Sequence, residues 1–188
     1  LGLYGEHQAQ NAALAIAAVE SFLGGSSISL DPEVLTEAFA SVESPGRLQL
    51  VAKHPSVLVD AAHNPHGAKA LGDALGSFFN FDEVVLVFSA LADKDAEGIL
   101  REIAPHVTSV VVTTVDSPRA TDVAELARIA GVVVGTENVE VIPDSAVAVA
   151  AARARVADSD RGAVLVAGSI VLVGEVMAQA AVTKGWTK

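Results

Sequence analysis

The run Val84-Val85-Leu86-Val87-Phe88 is apolar at every position and is followed by a polar residue, Ser89. A strand with one solvated face alternates apolar and polar side chains, whereas a parallel strand covered by helices on both faces is apolar throughout. Three other short runs have a similar character, and they are Ser56–Val59, Ser109–Thr113 and Ala163–Val166. The run therefore predicts a buried strand over Glu83–Phe88, in a layered α/β domain.

Segments with helical character separate these strands. Helices are predicted at Pro65–Phe79, Ala96–Ile103, Thr121–Ala130, Ser145–Ala157 and Ser169–Ala181, and weaker strands at Leu48–Val51 and Glu140–Ile142. Regular alternation of strands and helices is typical of a doubly wound sheet. We therefore predict a mostly parallel, Rossmann-like sheet with helices on both faces.

The first part of the chain has a different pattern, with two predicted helices and no strand. The first covers Gly5–Leu23 and ends at the Gly24-Gly25-Ser26-Ser27 stretch, which we interpret as a linker. The second begins after Asp31, a suitable N-cap that precedes a proline. Because Ser44-Pro45-Gly46 then interrupts the pattern, we predict a helical segment over residues 1–43 and the α/β domain over residues 44–188.

Composition excludes several functions. The chain has no cysteine, which rules out disulfides and thiolate metal sites. It carries 12 basic against 23 acidic residues, a net charge of −11, and no basic cluster, so we expect neither nucleic acid nor a membrane surface as a partner. No apolar run reaches the roughly 18 residues that a membrane-spanning helix needs.

Polar side chains follow the carboxyl end of nearly every predicted strand. They are Asp60, His63, Asn64, Ser89, Asp93, Lys94, Asp95, Thr113, Thr114, Asp116, Ser117, Arg119 and Ser169. Parallel strands bring their carboxyl ends to one edge of the sheet, and open α/β sheets bind ligands at that edge. The pattern therefore predicts a polar site centred on Asp60-Ala-Ala-His63-Asn64-Pro65.

Each of these residues also has a simpler explanation. Asp60 could cap a loop, Ser169 could cap a helix, and Asp93-Lys94-Asp95 could be a solvated loop. His63 and His66 with Asp60 match no standard zinc spacing, so no metal site is predicted. Taken together, these explanations are weaker than each is alone, because residues that only cap loops or helices would not be expected at the end of every strand.

Two further signals lie outside the strand ends. His7 and Asn11 are four residues apart, on one face of the first predicted helix, with Gln8 beside them, although a solvated helix end would look the same. Arg47 follows Pro45-Gly46 and suits phosphate binding or stacking on a purine, although it could be an ordinary surface arginine. The sequence contains no P-loop, no Gly-rich dinucleotide motif after a strand and no nucleophile elbow.

Several motifs, in order along the chain, resemble the carboxy-terminal part of folylpolyglutamate synthase and dihydrofolate synthase, members of the Mur ligase superfamily. They are Gly5-Glu6-His7-Gln8-Ala9-Gln10-Asn11-Ala12-Ala13, Ser44-Pro45-Gly46-Arg47, Asp60-Ala-Ala-His63-Asn64-Pro65, Lys94 in Asp93-Lys94-Asp95, Arg119 in Ser117-Pro118-Arg119-Ala120, and Gly168-Ser169 before Val173-Gly174-Glu175. Ala61 stands where the family more often has glycine.

The resemblance implies a cytoplasmic enzyme that uses ATP and Mg²⁺. ATP would phosphorylate a carboxylate of folate or pteroate, and the amino group of glutamate would attack the acyl phosphate. The P-loop and the magnesium ligands would lie in an amino-terminal domain of the same enzyme. Without that domain, the chain would have negligible ligase activity and weak nucleotide affinity.

The resemblance also implies roles for individual residues. Asn11 would contact adenine with His7 and Gln8 beside it, Arg47 would meet the phosphates, and Asp60 would bind ribose. His63 would be the catalytic residue near the terminal phosphate, and Asn64, Arg119 and Ser169 would bind glutamate. Two alternatives remain: the corresponding domain of a peptidoglycan-precursor Mur ligase, and a non-catalytic nucleotide-binding module.

Overall fold

The computed structural model describes residues 1–24 and 28–182, and within these the chain forms two compact units, Leu1–Pro45 and the residues from Gly46 onward. The first unit contains helices α1 (Glu6–Leu23) and α2 (Pro32–Ser41). Gly24 ends α1, its N–H bonding to Glu20 O at 3.2 Å. The rest of the predicted linker, residues 25–27, lies outside the described residues.

The side chain of Asp31 caps α2, as predicted, by accepting a hydrogen bond from Glu33 N at 2.7 Å. This bond satisfies one of the amide donors that the first turn of a helix leaves unpaired. Neither α1 nor α2 contains a buried residue. The surfaces of both helices are therefore largely exposed.

The second unit has the predicted α/β fold. Its strands are β1 (Gln49–Lys53), β2 (Ser56–Val59), β3 (Glu83–Phe88), β4 (Ser109–Val112), β5 (Val139–Val141) and β6 (Gly162–Ala167); its helices are α3 (Pro65–Phe78), α4 (Ala96–Ile103), α5 (Val123–Val134), α6 (Ser145–Arg155) and α7 (Ile170–Val182). The strands lie in the order β1-β2-β6-β3-β4-β5. All pairs are parallel except β1–β2, so the prediction of a mostly parallel sheet is confirmed.

Alternate strand residues face two separate hydrophobic cores. On one side Leu86 and Leu165 pack with residues of α3, α4 and α5. On the other side Val87 and Val166 pack with residues of α6 and α7. Both faces are apolar because both are covered, which is what the uninterrupted run at Val84–Phe88 predicts.

This topology opens a crevice at the carboxyl end of β6. The helices that follow β2 and β3 cover one face of the sheet, while α7, which follows β6, covers the other. β6 lies between β2 and β3 in the sheet. On each side of β6, the helix that follows the neighbouring strand therefore covers the opposite face of the sheet from α7. Ligands of doubly wound sheets bind at such switch points.

Most predicted boundaries agree with the structure to within a few residues, and α5 differs most. It begins at Val123, because Asp122 accepts hydrogen bonds from Ala124 N and Glu125 N, and it continues to Val134 rather than ending at Ala130. A Cβ at Gly131 would lie 2.8 Å from Thr136 Cγ2. Gly131 therefore allows a close approach inside the helix and does not end it.

Candidate functional site

A pocket of about 170 Å³ lies at the carboxyl ends of β2, β3 and β6. It is lined by His63, Leu91, Lys94, Arg119, Gly168, Ser169, Ile170 and Val171, and we call it the strand-end pocket. Segments separated by up to about a hundred residues thus meet at the edge where the polar pattern predicts a site. Two cations, an imidazole and a hydroxyl make the pocket suited to an anionic ligand.

Gly168 allows the segment after β6 to lie against β3. Its φ is +97°, in the left-handed region that favours glycine, and a Cβ there would be 2.7 Å from Phe88 Cδ2. Gly168 N also donates to Ala62 O at 3.0 Å, which joins this segment to the loop after β2. The strand-end pocket therefore depends on a position that only glycine can occupy without strain.

Ser169 follows directly and begins the connection to α7. It is 1% exposed, its Oγ accepts from Val171 N at 3.2 Å, and its carbonyl accepts from Val173 N at 3.1 Å. Ser169 thus caps α7, as one of the two interpretations predicts, and it also lines the pocket. Its contact with glutamate stays a prediction.

The two cations of the pocket come from the loops after β3 and β4 and share one carboxylate. Arg119 Nη2 donates to Asp93 Oδ1 at 2.6 Å, and Lys94 Nζ lies 3.0 Å from Asp93 Oδ2. The ammonium of Lys94, followed by the guanidinium of Arg119, lowers the pKa of the Asp93 carboxyl from 3.8 to about 2. The Asp93 carboxyl therefore stays ionised to well below neutral pH.

His63 and Asn64 lie between β2 and α3. His63 Nδ1 is 2.9 Å from Ala61 O, and because a carbonyl oxygen only accepts, Nδ1 carries the proton and Nε2 of the neutral ring can accept one. The Oδ1 of Asn64 accepts from Gly67 N at 2.8 Å and so caps α3. His63 lines the strand-end pocket, whereas Asn64, the next residue in sequence, does not.

Asp60 fastens the turn that carries Arg47 to the end of β2. Its Oδ2 accepts from Leu48 N at 2.7 Å, and its Oδ1 accepts from Ala62 N at 2.8 Å. Leu48 has a φ of +41°, an unfavourable value for a side chain with a Cβ, and this charged acceptor compensates part of that strain. The loop-capping interpretation of Asp60 is therefore realised, and binding of ribose by the same carboxylate stays a prediction.

Arg47 is exposed, and both of its neighbours in sequence are held. On one side Gly46, with a φ of +74°, accepts from Ala61 N at 2.8 Å; on the other side Leu48 donates to Asp60. The turn therefore has a defined backbone while the guanidinium extends to solvent. This arrangement suits a side chain that binds an anionic ligand.

The sequence did not indicate the role of Glu175 on α7. Its Oε1 accepts from Asp116 N at 2.8 Å, and its Oε2 accepts from Ser145 Oγ at 2.7 Å. Glu175 thereby joins α7 to the loop after β4 that carries Arg119 and to the start of α6. The partners lie 59 and 30 residues away, so no local spacing could have revealed them.

Four of the thirteen predicted strand-end residues line the strand-end pocket, namely His63, Lys94, Arg119 and Ser169, and the other nine do not. Ser89 and Thr113 are fully buried. The hydroxyl of Thr113 donates to Pro143 O at 3.0 Å and so links two loops. Some of the polar residues at the strand ends therefore hold loops together, and others line the pocket.

His7, Gln8 and Asn11 lie in the first two turns of α1, in the first unit. Gln8 Oε1 accepts from Asn11 Nδ2 at 3.4 Å, Asn11 is exposed, and His7 and Gln8 are partly exposed. The three polar side chains are thus accessible at one end of α1. Their contact with adenine stays a prediction.

No group of three or more His, Asp or Glu side chains is placed to hold a metal ion within residues 1–24 and 28–182. Over the same ranges, no helix has the length and apolar character needed to cross a bilayer.

Comparison with known proteins relates this geometry to a family. Residues 46–170 match the family model described as the Mur ligase glutamate ligase domain. Dihydrofolate synthase/folylpolyglutamate synthase of Mycobacterium tuberculosis is 42% identical over 186 residues, which covers 93% of this chain and 38% of that protein. The chain thus spans well under half the length of this curated relative.

Solved structures agree with the sequence comparison. A Mycobacterium tuberculosis folylpolyglutamate synthase complexed with ADP and AMPPCP superposes with a TM-score of 0.91 over 97% of this chain and 42% of that one, at 42% identity. An Escherichia coli FolC structure in complex with DHPP and ADP superposes with a TM-score of 0.78 at 30% identity, over 91% of this chain and 38% of that one. The fold, the motifs in their order and the family model agree: this chain belongs to the Mur ligase family through its glutamate ligase domain, and it resembles the carboxy-terminal region of folylpolyglutamate synthases.

Proposed function

We propose that this chain is the glutamate-binding, carboxy-terminal part of an ATP-dependent ligase that adds glutamate to folate or dihydropteroate. The observation that carries the proposal is the strand-end pocket, where Lys94, Arg119 and His63 meet in a chain similar to folylpolyglutamate synthases over nearly its whole length. A dicarboxylic amino acid offers the anionic groups that such a pocket would bind.

Residues in and beside the strand-end pocket have separate roles in this proposal. Arg119, with Lys94 beside it, binds a carboxylate of glutamate, and Ser169 lines the same pocket. Asn64, which follows the lining residue His63 in sequence, is the third residue that we propose to bind glutamate. His63 is the catalytic residue: with Nδ1 holding its proton on Ala61 O, its Nε2 can accept a hydrogen bond or a proton from the incoming ammonium group.

The nucleotide would be bound by residues other than those that line the strand-end pocket. Arg47 meets its phosphates, Asp60 its ribose, and Asn11 with His7 and Gln8 its adenine. ATP would supply the phosphoryl group that activates the substrate carboxylate, and Mg²⁺, whose ligands are expected in the amino-terminal domain, would balance the phosphate charge.

The partner of this chain is the amino-terminal P-loop domain of the same cytoplasmic enzyme. One observation supports this: α1 has no buried residue, and its apolar side chains Leu14, Val19 and Phe22 are exposed. Apolar side chains that are exposed together in this way are often covered by another protein surface. Without that partner, we expect the chain to bind nucleotide weakly and to turn over no substrate.

The test is a titration of the whole ¹⁵N-labelled chain with L-glutamate, in which NMR spectra report binding. Arg119→Ala should weaken binding by about tenfold or more, the loss of one charge-assisted contact. Arg101→Ala is the matched control, because Arg101 forms a similar exposed pair with Glu97 on α4, at 2.6 Å. Equal effects of the two substitutions, or no saturable binding by the unchanged chain, would refute the proposal.

Turnover and ligand selectivity separate the alternatives. Incubation of the chain with ATP, L-glutamate and a pteroate should give no ligated product; robust product would contradict the division into two domains. The UDP-N-acetylmuramoyl-L-alanyl-D-glutamate–2,6-diaminopimelate ligase of Wolinella succinogenes is 30% identical over 122 residues, or 64% of this chain. Preference for diaminopimelate over L-glutamate would favour that branch, and tight ATP binding by the chain alone would favour a nucleotide-binding module.

A further inference from the structure

The carboxylate of Asp93 lies outside the strand-end pocket and pairs with both cations that line the pocket. Lys94 and Arg119 line the pocket, and Asp93, which does not, pairs with both through its two oxygens, at 3.0 Å and 2.6 Å. The neighbouring Asp95 has a different task, because it caps α4 by accepting from Gly98 N at 2.8 Å. Asp93 is therefore the carboxylate of this loop that acts on the pocket.

Backbone hydrogen bonds place the same two loops against each other. Ala92 N donates to Arg119 O at 2.8 Å, Thr121 N donates to Ala90 O at 3.1 Å, and Leu91 and Ala120 form an isolated antiparallel bridge. The backbone thus brings the loops after β3 and β4 together without fixing their long side chains. The cationic ends of Lys94 and Arg119 need a further contact to stay in place.

Two neighbouring cations repel each other, and lysine and arginine side chains lose much rotamer freedom when they are fixed. A carboxylate between them offsets the repulsion and provides acceptors of defined direction. Lys94 is 30% exposed and Arg119 is 61% exposed, so burial alone holds neither cation.

We propose that Asp93 is a positioning residue of the strand-end pocket, which holds Lys94 and Arg119 where both can meet an anionic group of the substrate. The inference rests on the proposed function, because glutamate is the anion that this pocket is proposed to bind. Asp93 itself does not contact the substrate in this proposal and acts through the two cations.

The sign of one effect distinguishes positioning from simple charge. Asp93→Asn removes a negative charge beside an anion site, and charge alone would tighten anion binding by up to about fourfold. If Asp93 orients the cations, the same substitution weakens binding, by about three- to tenfold, although the net charge becomes more favourable. Asp93→Glu should restore part of the affinity, because it keeps the charge and can reach the same partners.

The experiment combines two NMR measurements on the whole chain. L-Glutamate titrations give the affinity of the unchanged protein, Asp93→Asn and Asp93→Glu, with Asp73→Asn as the control, since Asp73 forms an exposed pair with Lys69 at 3.1 Å on α3. Relaxation of the Arg119 Nε–H group reports its mobility without ligand. We expect weaker binding and a more mobile Arg119 in Asp93→Asn, and no change in Asp73→Asn.

The outcomes separate this inference from the function on which it rests. Unchanged or tighter binding by Asp93→Asn, or an Arg119 that is equally mobile in both proteins, would overturn the positioning role, even where Arg119→Ala still weakens binding. If Arg119→Ala has no effect on L-glutamate binding, the glutamate site itself is wrong. Weaker binding accompanied by loss of the folded spectrum in Asp93→Asn would also count against positioning, because the effect would then be one of folding.

Discussion

Replacement of Asp60 by asparagine should destabilise the α/β unit more than its small change in size suggests. The carboxylate is 8% exposed and accepts hydrogen bonds from Leu48 N at 2.7 Å and Ala62 N at 2.8 Å. Asparagine keeps one acceptor oxygen but turns an NH₂ group towards the other backbone donor. One charge-assisted bond is thus lost and a buried donor is left opposite another donor.

The size of the effect follows from these two bonds. A hydrogen bond to a charged group contributes roughly 1.5–3 kcal/mol, and an unsatisfied buried donor costs about 1–3 kcal/mol. We therefore expect Asp60→Asn to lower the free energy of unfolding by about 2–4 kcal/mol, a large part of a typical stability of about 5–15 kcal/mol. Asp60→Ala, which removes both acceptors, should cost at least as much.

Urea unfolding, followed by circular dichroism at pH 7, measures this quantity. Asp73→Asn is the matched control: Asp73 is a surface carboxylate paired with Lys69, and its loss should cost no more than about 0.5 kcal/mol. An unchanged dependence of stability on urea would show that both variants unfold from equally compact states. A cost below about 1 kcal/mol for Asp60→Asn would refute the view that this carboxylate fastens the turn before β1.

Three further predictions concern other parts of the chain. Gly168→Ala places a Cβ 2.7 Å from Phe88 Cδ2 at a φ of +97°, so we expect a loss of about 3 kcal/mol or more in the same assay; a loss under 1 kcal/mol would contradict it. Because the pKa of Asp93 is lowered from 3.8 to about 2, its ion pairs contribute stability that is present above about pH 3.8 and lost as the pH falls towards 2, and its ¹³C carboxyl resonance should not titrate between pH 5 and 3.5. A midpoint near 3.8 would show that the pairs do not form in solution. Phe22→Ala should leave the thermal unfolding temperature of this chain within about 1 °C, because Phe22 is 90% exposed, and a drop of several degrees would show that α1 is packed in solution.

The strands of the sheet centre could be predicted from sequence because their environment leaves a local signature. Ser56–Val59 and Glu83–Phe88 have the predicted bounds, since apolar side chains on both faces end abruptly at polar residues. The start of α2 could likewise be predicted from Asp31, because its side chain accepts a hydrogen bond from Glu33 N, only two residues away. Local patterns of this kind suffice for the identity of the elements.

Strand order and pairing could not be predicted, because they depend on contacts between distant residues. The last strand, β6, enters the middle of the sheet between β2 and β3, and nothing in Gly162–Ala167 distinguishes a central neighbour of β2 from an edge strand. The Asp93–Arg119 pair joins residues 26 apart, and Glu175 reaches Asp116 over 59 positions. The sequence could place polar residues at one edge, but it could not say which of them pair with each other.

The polar residues at this edge differ in how cleanly they can be tested. Ser169 and Asn64 cap α7 and α3, so their loss removes a helix cap worth about 1 kcal/mol together with any contact to ligand. Arg119 is 61% exposed, and its surface pair contributes little to stability. A defect in glutamate binding after substitution of Ser169 would therefore be ambiguous, whereas the same defect in a folded Arg119→Ala protein would identify the strand-end pocket as the place where the substrate binds.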